Sequence, residues 1–582
     1  MLLSFTRCSA CHRYERLLLL PTQRASFSAS SQVPAPKALG KARTLPDTPT
    51  APFSLQPAVV GAAFANAKKR KFPVKEEWRA ALEKARAELP GLAEEIASLK
   101  KALSRDPRNK AATAETSSSS ADTADPAELK QRLRALTAEH DGLLHTSLDV
   151  RLRFCNGTHA EVPLGPEANA RLIGYGDPLG LLPSEVTTAF LDKIPCAVHE
   201  LPEATAGAAD PTRSHTEIAA QLSHPLFPLS SSLDQASGAL TTGASFPFLL
   251  GPLASLSHAL STYALRICAE HGFMVVRAPD VIKVDLAKRC GFMPRDEGEA
   301  SQTYFVSTQQ QHRETRSPTG IPEWCLAGTA EIPLAGLCAD RTFFLPPSST
   351  STSGSNTSGS AGPFLPLKIC ALGSAFRAEA GARGADTKGL YRVHQFDKVE
   401  MFVVAPMKEG EAVEGETEVN GTGEPFAAED ADMTYLDELR VIQEEIISGL
   451  GLPYRVLDMP TEELGASACR KYDIEAWMPG RGSWGEISSA SHCTTFQSRR
   501  LNIRYRRSPG SQGKLEYAHT LNATAAAMPR LVVAILENFG LAEGEEGGEV
   551  KLRLPDVLRP YWIQGDGEVE WVAVGEGSAE ED

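Results

Sequence analysis

At 582 residues with 42% hydrophobic content, the chain can bury a large core and form two or three domains, which excludes a wholly disordered or fibrous polypeptide. The net charge of −14 is unevenly placed: residues 408–432 hold nine acids and one lysine, residues 566–582 hold seven acids and no base, and the remainder is close to neutral. A nucleic-acid partner is therefore not excluded, whereas eleven scattered cysteines argue against a disulfide scaffold and for reduced thiols inside a cell.

Residues 1–30 carry Arg7, Arg13, Arg16 and Arg24 against the single acid Glu15, among serines and leucines. The pattern predicts a mitochondrial presequence and a location in the mitochondrial matrix; a disordered terminus is the plainer alternative. Cys8, Cys11 and His12 spell the C-x-x-C-H pattern of c-type haem attachment, within a segment not expected to belong to the folded protein. Pro-rich residues 31–65 read as a disordered linker. No stretch approaches the roughly 18 apolar residues needed to span a bilayer, so no membrane partner is expected.

Trp78, Leu82, Ala85, Leu89, Leu92, Ile96, Leu99 and Leu103 step alternately by four and three, and Leu129, Leu133, Leu136, His140 and Leu143 repeat the spacing. Two such seams around the polar stretch 107–126 predict an antiparallel helical hairpin over 66–155, with a kink or short break at Pro90-Gly91. From Asn66 to Arg105 there are eleven Lys or Arg and six Glu. A projecting rod of that sign suits a polyphosphate partner; a solvated coiled coil holding subunits together is the other reading.

Residues 156–245 form a connecting region. Beyond it, β-like runs such as "LKICAL" and "MFVVAP" alternate with helical ones, predicting an α+β domain over 246–563 built on a largely antiparallel sheet with flanking helices. The tracts 346–363 and 408–432 read as surface insertions, and 564–582 as an acidic tail.

Four stretches concentrate chemistry. In "FRAEAGARGADTKGLYRVHQFDKVEMF" (376–402), two strands flank a glycine-rich loop, with Arg377, Glu379, Phe396 and Glu400 on the strands and Arg383, Asp386 and Lys388 in the loop. An arginine fork binds phosphate or carboxylate, and a glutamate can receive an amine. In "CLAGTAEIPLAGL", Thr329 and Glu331 stand two apart in an apolar segment, so both are expected on one side of a strand, with donors or a cation near the carboxylate. Glu486 and Ser489 of "GEISSAS" are candidate oxygen ligands for magnesium. "HTLNATAAAMPRLVVAILENF" opens an apolar helix with Arg530 in its first turn, where the helix's own field favours a phosphate. Cross-strand ion pairs, an internally paired glutamate, solvent-facing serines and a surface arginine are the plainer readings of these four.

Taken together and in this order, with "GFMVVRAPDVI", "TAEIPL", "HQFDKVE" and "RLPDVLRPYW", the motifs resemble those of the seryl-tRNA synthetases, a family of class II aminoacyl-tRNA synthetases, and the presequence is similar to that of mitochondrial forms. The resemblance covers roughly 66–563. It implies that the arm contacts tRNA(Ser), that the first motif pairs two copies into a homodimer, and that ATP and Mg²⁺ are bound.

Residue by residue, it implies that Thr329, Glu331, Arg377, Glu400, Asn522 and Thr524 bind L-serine. Arg377, Ala378, Glu379, Val393, Phe396, Glu486, Ile487, Ser488, Ser489 and Arg530 would bind ATP, with Glu486 and Ser489 on its magnesium. Arg377, Glu379 and Arg530 would be catalytic. Zinc is not expected, since Cys325, Cys338 and Cys370 are isolated in sequence and read as small core residues.

The implied reaction makes seryl-adenylate and then transfers serine to the 3′-terminal adenosine of tRNA. Two departures stand out: Thr524 replaces a serine and Pro529 a glycine in the third motif. Pro is tolerated in a helix's first turn, so Arg530 should keep its place. The alternative is a catalytically inactive synthetase-like protein that binds RNA or serves structurally. It should have lost one of Arg377, Glu379, Glu400, Glu486 or Arg530, yet all five are present.

Overall fold

The computed structural model of the chain describes residues 45–46, 48–104, 126–183, 186, 209–224, 227–292, 302–307, 323–346, 363–379, 389–408, 431–507, 515–542 and 550–574. The presequence reading with Cys8, Cys11 and His12, the stretch 107–125, the insertion stretches 348–362 and 409–430, and Arg383, Asp386 and Lys388 lie outside those residues. Among the described residues no helix is long and apolar enough to cross a membrane.

The predicted hairpin is present as α2 (Glu76–Ser104) and α3 (Pro126–Leu152). Every seam position named above is buried or half-buried, while the residues between them face solvent for the most part. At 1.5 Å per residue, α2 is about 44 Å long. The expected break is absent: α2 runs through Pro90 without interruption. Pro90 and Gly91 are both exposed, so the proline gives up one backbone bond on the wet face, and Leu89 and Leu92 stay packed.

The linker reading also ends early, because Pro57–Lys69 forms α1. Pro57 opens it at a position where no N–H partner is needed, and Val59, Val60, Ala63, Phe64 and Ala67 are buried with Phe53, Leu82, Val150 and Phe154 at the base of the arm. From that base, Arg70 Nη1 donates to the carbonyls of Asn156 (2.8 Å) and Ala468 (3.0 Å), tying the arm to the body of the chain.

The body is an eight-stranded sheet. In chain order its strands are β1 (Arg171–Gly176), β2 (Met274–Val276), β3 (Leu367–Phe376), β4 (Gln395–Ala405), β5 (Tyr454–Asp458), β6 (Arg470–Met478), β7 (Ser483–His492) and β8 (His519–Ala527). In space they run β1-β5-β6-β7-β8-β4-β3-β2, antiparallel throughout except for the edge pair β2–β3. This bears out the α+β class. Strand β1 joins the sheet from residues that composition assigned to the connecting region. Likewise Val569–Val572, within the acidic 564–582, pairs in parallel with Lys551–Pro555.

Alternation along the strands divides the sheet. Cys370, Val399, Met401, Val403, Ile474, Ala490, Leu521 and Ala523 form one face of the main core, covered by α5 (Pro252–Glu270), α7 (Thr434–Gly449) and α9 (Met528–Phe539). On the opposite face a second cluster packs α6 (Glu331–Cys338) and α8 (Phe496–Leu501) over Ile369, Ala371, Phe402 and Val404. Beyond that cluster the face is left open. The remaining labelled helix, α4 (His215–Gln221), lies beside α9.

Candidate active site

The open face owes its residue set to strand register. On β4, Phe396, Lys398 and Glu400 alternate toward it, opposite Ala375, Gly373 and Ala371 of β3. Those partners are small, and a Cβ on Gly373 would sit 3.2 Å from both Ala330 and Asp280. Two β-bulges adjust the rest. One at Ile487 sets Glu486 opposite Glu475 and Ser489 opposite Asp473, so residues three apart share a face that regular alternation would deny them. The other, at Ala525, puts Thr524 opposite Glu400 and Ala527 opposite Lys398.

The deep end is a buried polar pocket. Thr329 and Glu331 do meet, but not on a strand: the strand Trp324–Leu326 ends before them, and Glu331 is the first residue of α6. An acid at a helix start and Pro333 still within the first turn favour that helix. Thr329 Oγ1 donates to Glu400 Oε2 at 3.1 Å. Glu331 Oε1 accepts from Gln497 Nε2 (2.6 Å) and Asn522 Nδ2 (3.0 Å), the donors its burial demands. Lys398 Nζ lies 2.5 Å from Glu400 Oε2 and donates to Thr524 Oγ1 at 3.4 Å. All the serine-binding candidates except Arg377 thus line or adjoin one pocket. Lys398 and Gln497 join them unannounced. The signal for Lys398 was its place two residues from both Phe396 and Glu400; Gln497 comes from α8 and had none.

Burial, reinforced by the charge on Glu400, pushes the Glu331 carboxyl up to about 8. Its folded-state value exceeds the ordinary 4.5, so between those two pH values the native state holds a proton the unfolded chain has released. Stability is therefore lost as pH rises across that window. Glu331→Gln removes this loss: its melting temperature should match the parent near pH 4.5 and exceed it increasingly toward pH 8. A pH-independent difference would contradict the assignment.

Outward from this pocket lies an open cleft. Arg377, Glu379, Val393, Phe396, Ile487, Ser489 and Arg530 all border it. The Arg377 guanidinium stands 5.3 Å over the Phe396 ring, leaving a flat apolar surface beside a cation. Arg530 Nη1 donates to the Glu486 carbonyl (2.8 Å) and reaches its Oε2 at 3.3 Å. Burial alone would raise the Glu486 carboxyl, but Lys471, Arg530 and Arg377 outweigh it and hold the group below its ordinary range.

Three expected members are placed differently. Glu379 takes a left-handed backbone conformation (φ 46°) and pairs with Arg392 at 3.5 Å. Ser488 borders the cleft, yet its hydroxyl donates to the Thr524 carbonyl and accepts from Gln443 Nε2 (2.7 Å). Ala378 is absent from the cleft wall, its N–H donating to the Gln302 carbonyl at 2.9 Å. Among the described residues no three His, Cys, Asp or Glu side chains gather as a metal centre. A cation on Glu486 and Ser489 would need further oxygens from a ligand, the usual habit of magnesium with phosphates.

Chemically, the cleft suits a flat aromatic group with several anionic oxygens between Arg377 and Arg530. The pocket, with the Glu400 carboxylate, the Glu331 carboxyl, two hydroxyls, two amides and the Lys398 ammonium, suits a small polar molecule.

Residues 354–419 and 423–539 match the family model for the tRNA synthetase class II core domain (G, H, P, S and T). Among curated proteins, the chain is 39% identical over 331 residues to the serine–tRNA ligase of Treponema denticola, covering 56% of this chain and 64% of that one. It is 39% identical over 352 residues to the mitochondrial serine–tRNA ligase of Saccharomyces cerevisiae, covering 60% and 66%. It thus spans slightly under two thirds of the length of these two relatives. With the serine–tRNA ligase of Rhodopirellula baltica it shares 34% identity over 441 residues, 75% of this chain and 81% of that one. The fold aligns with the crystal structure of seryl-tRNA synthetase from Pyrococcus horikoshii complexed with ATP at a TM-score of 0.61 and 28% identity, over 86% of this chain and 95% of that one. An α+β body of this topology, and a relative matched over four fifths of its own length, place the chain in the serine–tRNA ligase family.

Proposed function

We propose that the protein joins L-serine to tRNA(Ser) with ATP, through a seryl-adenylate, in mitochondrial translation. The observation that carries this reading is the two-part site: an arginine-lined cleft that meets, at Lys398 and Thr524, a buried polar cluster of carboxyl groups and hydroxyls. Adenine would stack on the Phe396 ring beside Arg377, and Arg530 would hold the γ-phosphate. Glu379 and the Val393 backbone would border the base, beside Ile487 and Ser488. Serine's ammonium would lie against Thr329 and Glu400, and its hydroxyl near Thr524, Asn522 and Glu331.

Arg377, between the two parts, would orient serine's carboxylate toward the α-phosphate and stabilise the charge that builds there as pyrophosphate leaves. Magnesium arriving with ATP would be held by Glu486 and Ser489 and would neutralise phosphate charge. In the second step the 3′-hydroxyl of the tRNA attacks the acyl carbon and AMP departs. No side chain need act as general base if the reactants are aligned and their charge is neutralised.

The exposed lysines Lys68, Lys69, Lys71 and Lys75 at the base of the arm support tRNA contact, by shape and backbone more than by base sequence. A second copy is the expected partner of the β2 edge, where Met274 and Val275 are 55% and 51% exposed. Residues 1–30 and the mitochondrial relatives support a mitochondrial location, in the matrix.

Purified protein should catalyse exchange of pyrophosphate into ATP when serine is added, without tRNA. Absence of serine-dependent exchange would favour an inactive, RNA-binding or structural relative.

A further inference from the structure

One buried pair of titratable groups takes no part in the proposed chemistry. His215 of α4 and Glu537 of α9 have side chains only 2% and 1% exposed. Glu537 accepts from four donors: the His215 N–H (3.3 Å) and Nδ1 (2.8 Å), the Tyr391 hydroxyl (2.9 Å) and the Gly480 N–H (2.9 Å). The other ring nitrogen of His215, Nε2, accepts the N–H of Leu390 at 3.1 Å. This assigns the tautomer: the proton sits on Nδ1, facing the carboxylate, and the lone pair on Nε2 faces the backbone.

Two glycines let the chain close around the pair. At Gly389 (φ +66°) a Cβ would lie 2.0 Å from His215 Nε2, and at Gly480 it would lie 2.8 Å from both Glu537 Oε2 and the Ser214 Cα. No side chain fits at either place without displacing the pair. Arg213 secures the same segment, donating to the carbonyls of Glu537 (3.1 Å) and Asn538 (2.6 Å) at the end of α9.

The clamp reaches the cleft through Tyr391. Its hydroxyl is held by Glu537, its carbonyl accepts from Arg530 Nε at 3.4 Å, and its ring lies 4.6 Å under the Arg481 guanidinium. Leu390, Tyr391, Arg392 and Val393 all line the open cleft. Thr329, Glu331, Gln497 and Asn522 of the deep pocket stand on other elements. We propose that His215 and Glu537 are positioning residues: they hold the segment Leu390–Val393, and through Tyr391 the Arg530 guanidinium, in place for the nucleotide. This rests on the ATP-dependent reading given above.

The test uses His215→Asn and Glu537→Gln in the full chain, assayed by serine-dependent pyrophosphate exchange with thermal melts alongside. Each should raise the KM for ATP about tenfold and leave the KM for serine within about twofold, with a cooperative melting transition retained. Absence of exchange in the unmodified protein would overturn the ligase reading and this inference with it. Normal exchange there, with variants that raise both KM values together or neither, would overturn the clamp alone. If a variant loses its cooperative transition, Tyr391→Phe, which removes only the hydroxyl held by Glu537, decides by the same split, at about threefold for ATP.

Discussion

Arg377→Ala should lower serine-dependent pyrophosphate exchange by about a thousandfold, the scale set by removing a donor aimed at developing charge. The side chain rests over Phe396, which supplies its packing. It sits on the open face, exposed rather than in the core, so the loss should fall on catalysis. The melting temperature should stay close to that of the parent. Both substrates are to be read: an interaction made chiefly in the transition state lowers kcat and kcat/KM alike, whereas one spent on binding raises KM alone. Exchange within a few-fold of the parent would remove Arg377 from the chemistry.

Lys398→Met should have the largest effect on stability. Lys398 and Glu400 side chains are 8% and 2% exposed and 2.5 Å apart, so removing the ammonium strands a carboxylate that only Thr329 then satisfies at close range. Breaking a buried pair in this way costs about 3–5 kcal/mol. The paired change Lys398→Met with Glu400→Gln removes both charges and should recover much of that loss, although serine binding would not return. Denaturant melts of the two variants distinguish the cases: if the single variant is as stable as the parent, the pair is not a structural element of the pocket.

Much of this was legible in the sequence, for identifiable reasons. The arm followed from a four-three spacing that only a helical seam requires, and its positions proved buried or half-buried as the spacing demanded. The sheet followed from strand alternation, and Arg530 from a proline-opened apolar helix. What stayed hidden depends on register and on distant elements. A bulge at Ile487 is one extra residue in a strand, with no composition of its own, yet it decides that Glu486 and Ser489 share a face. Thr329 and Glu331 were expected on a strand because residues two apart share a strand face, but α6 begins at Glu331. Gln497 is 166 positions from Glu331, and His215 is 322 from Glu537; only the fold makes them neighbours. Residues 57–65 looked like linker because prolines dominated their surroundings, and small apolar residues form a helix there only against the arm.

The central claim is tested most directly by incubating the full chain with serine, ATP and tRNA isolated from mitochondria, then identifying what is esterified at the tRNA 3′ end. The account predicts serine on tRNA(Ser), dependent on ATP, with alanine and threonine left uncharged. Serine-dependent pyrophosphate exchange without any serine on tRNA would contradict it.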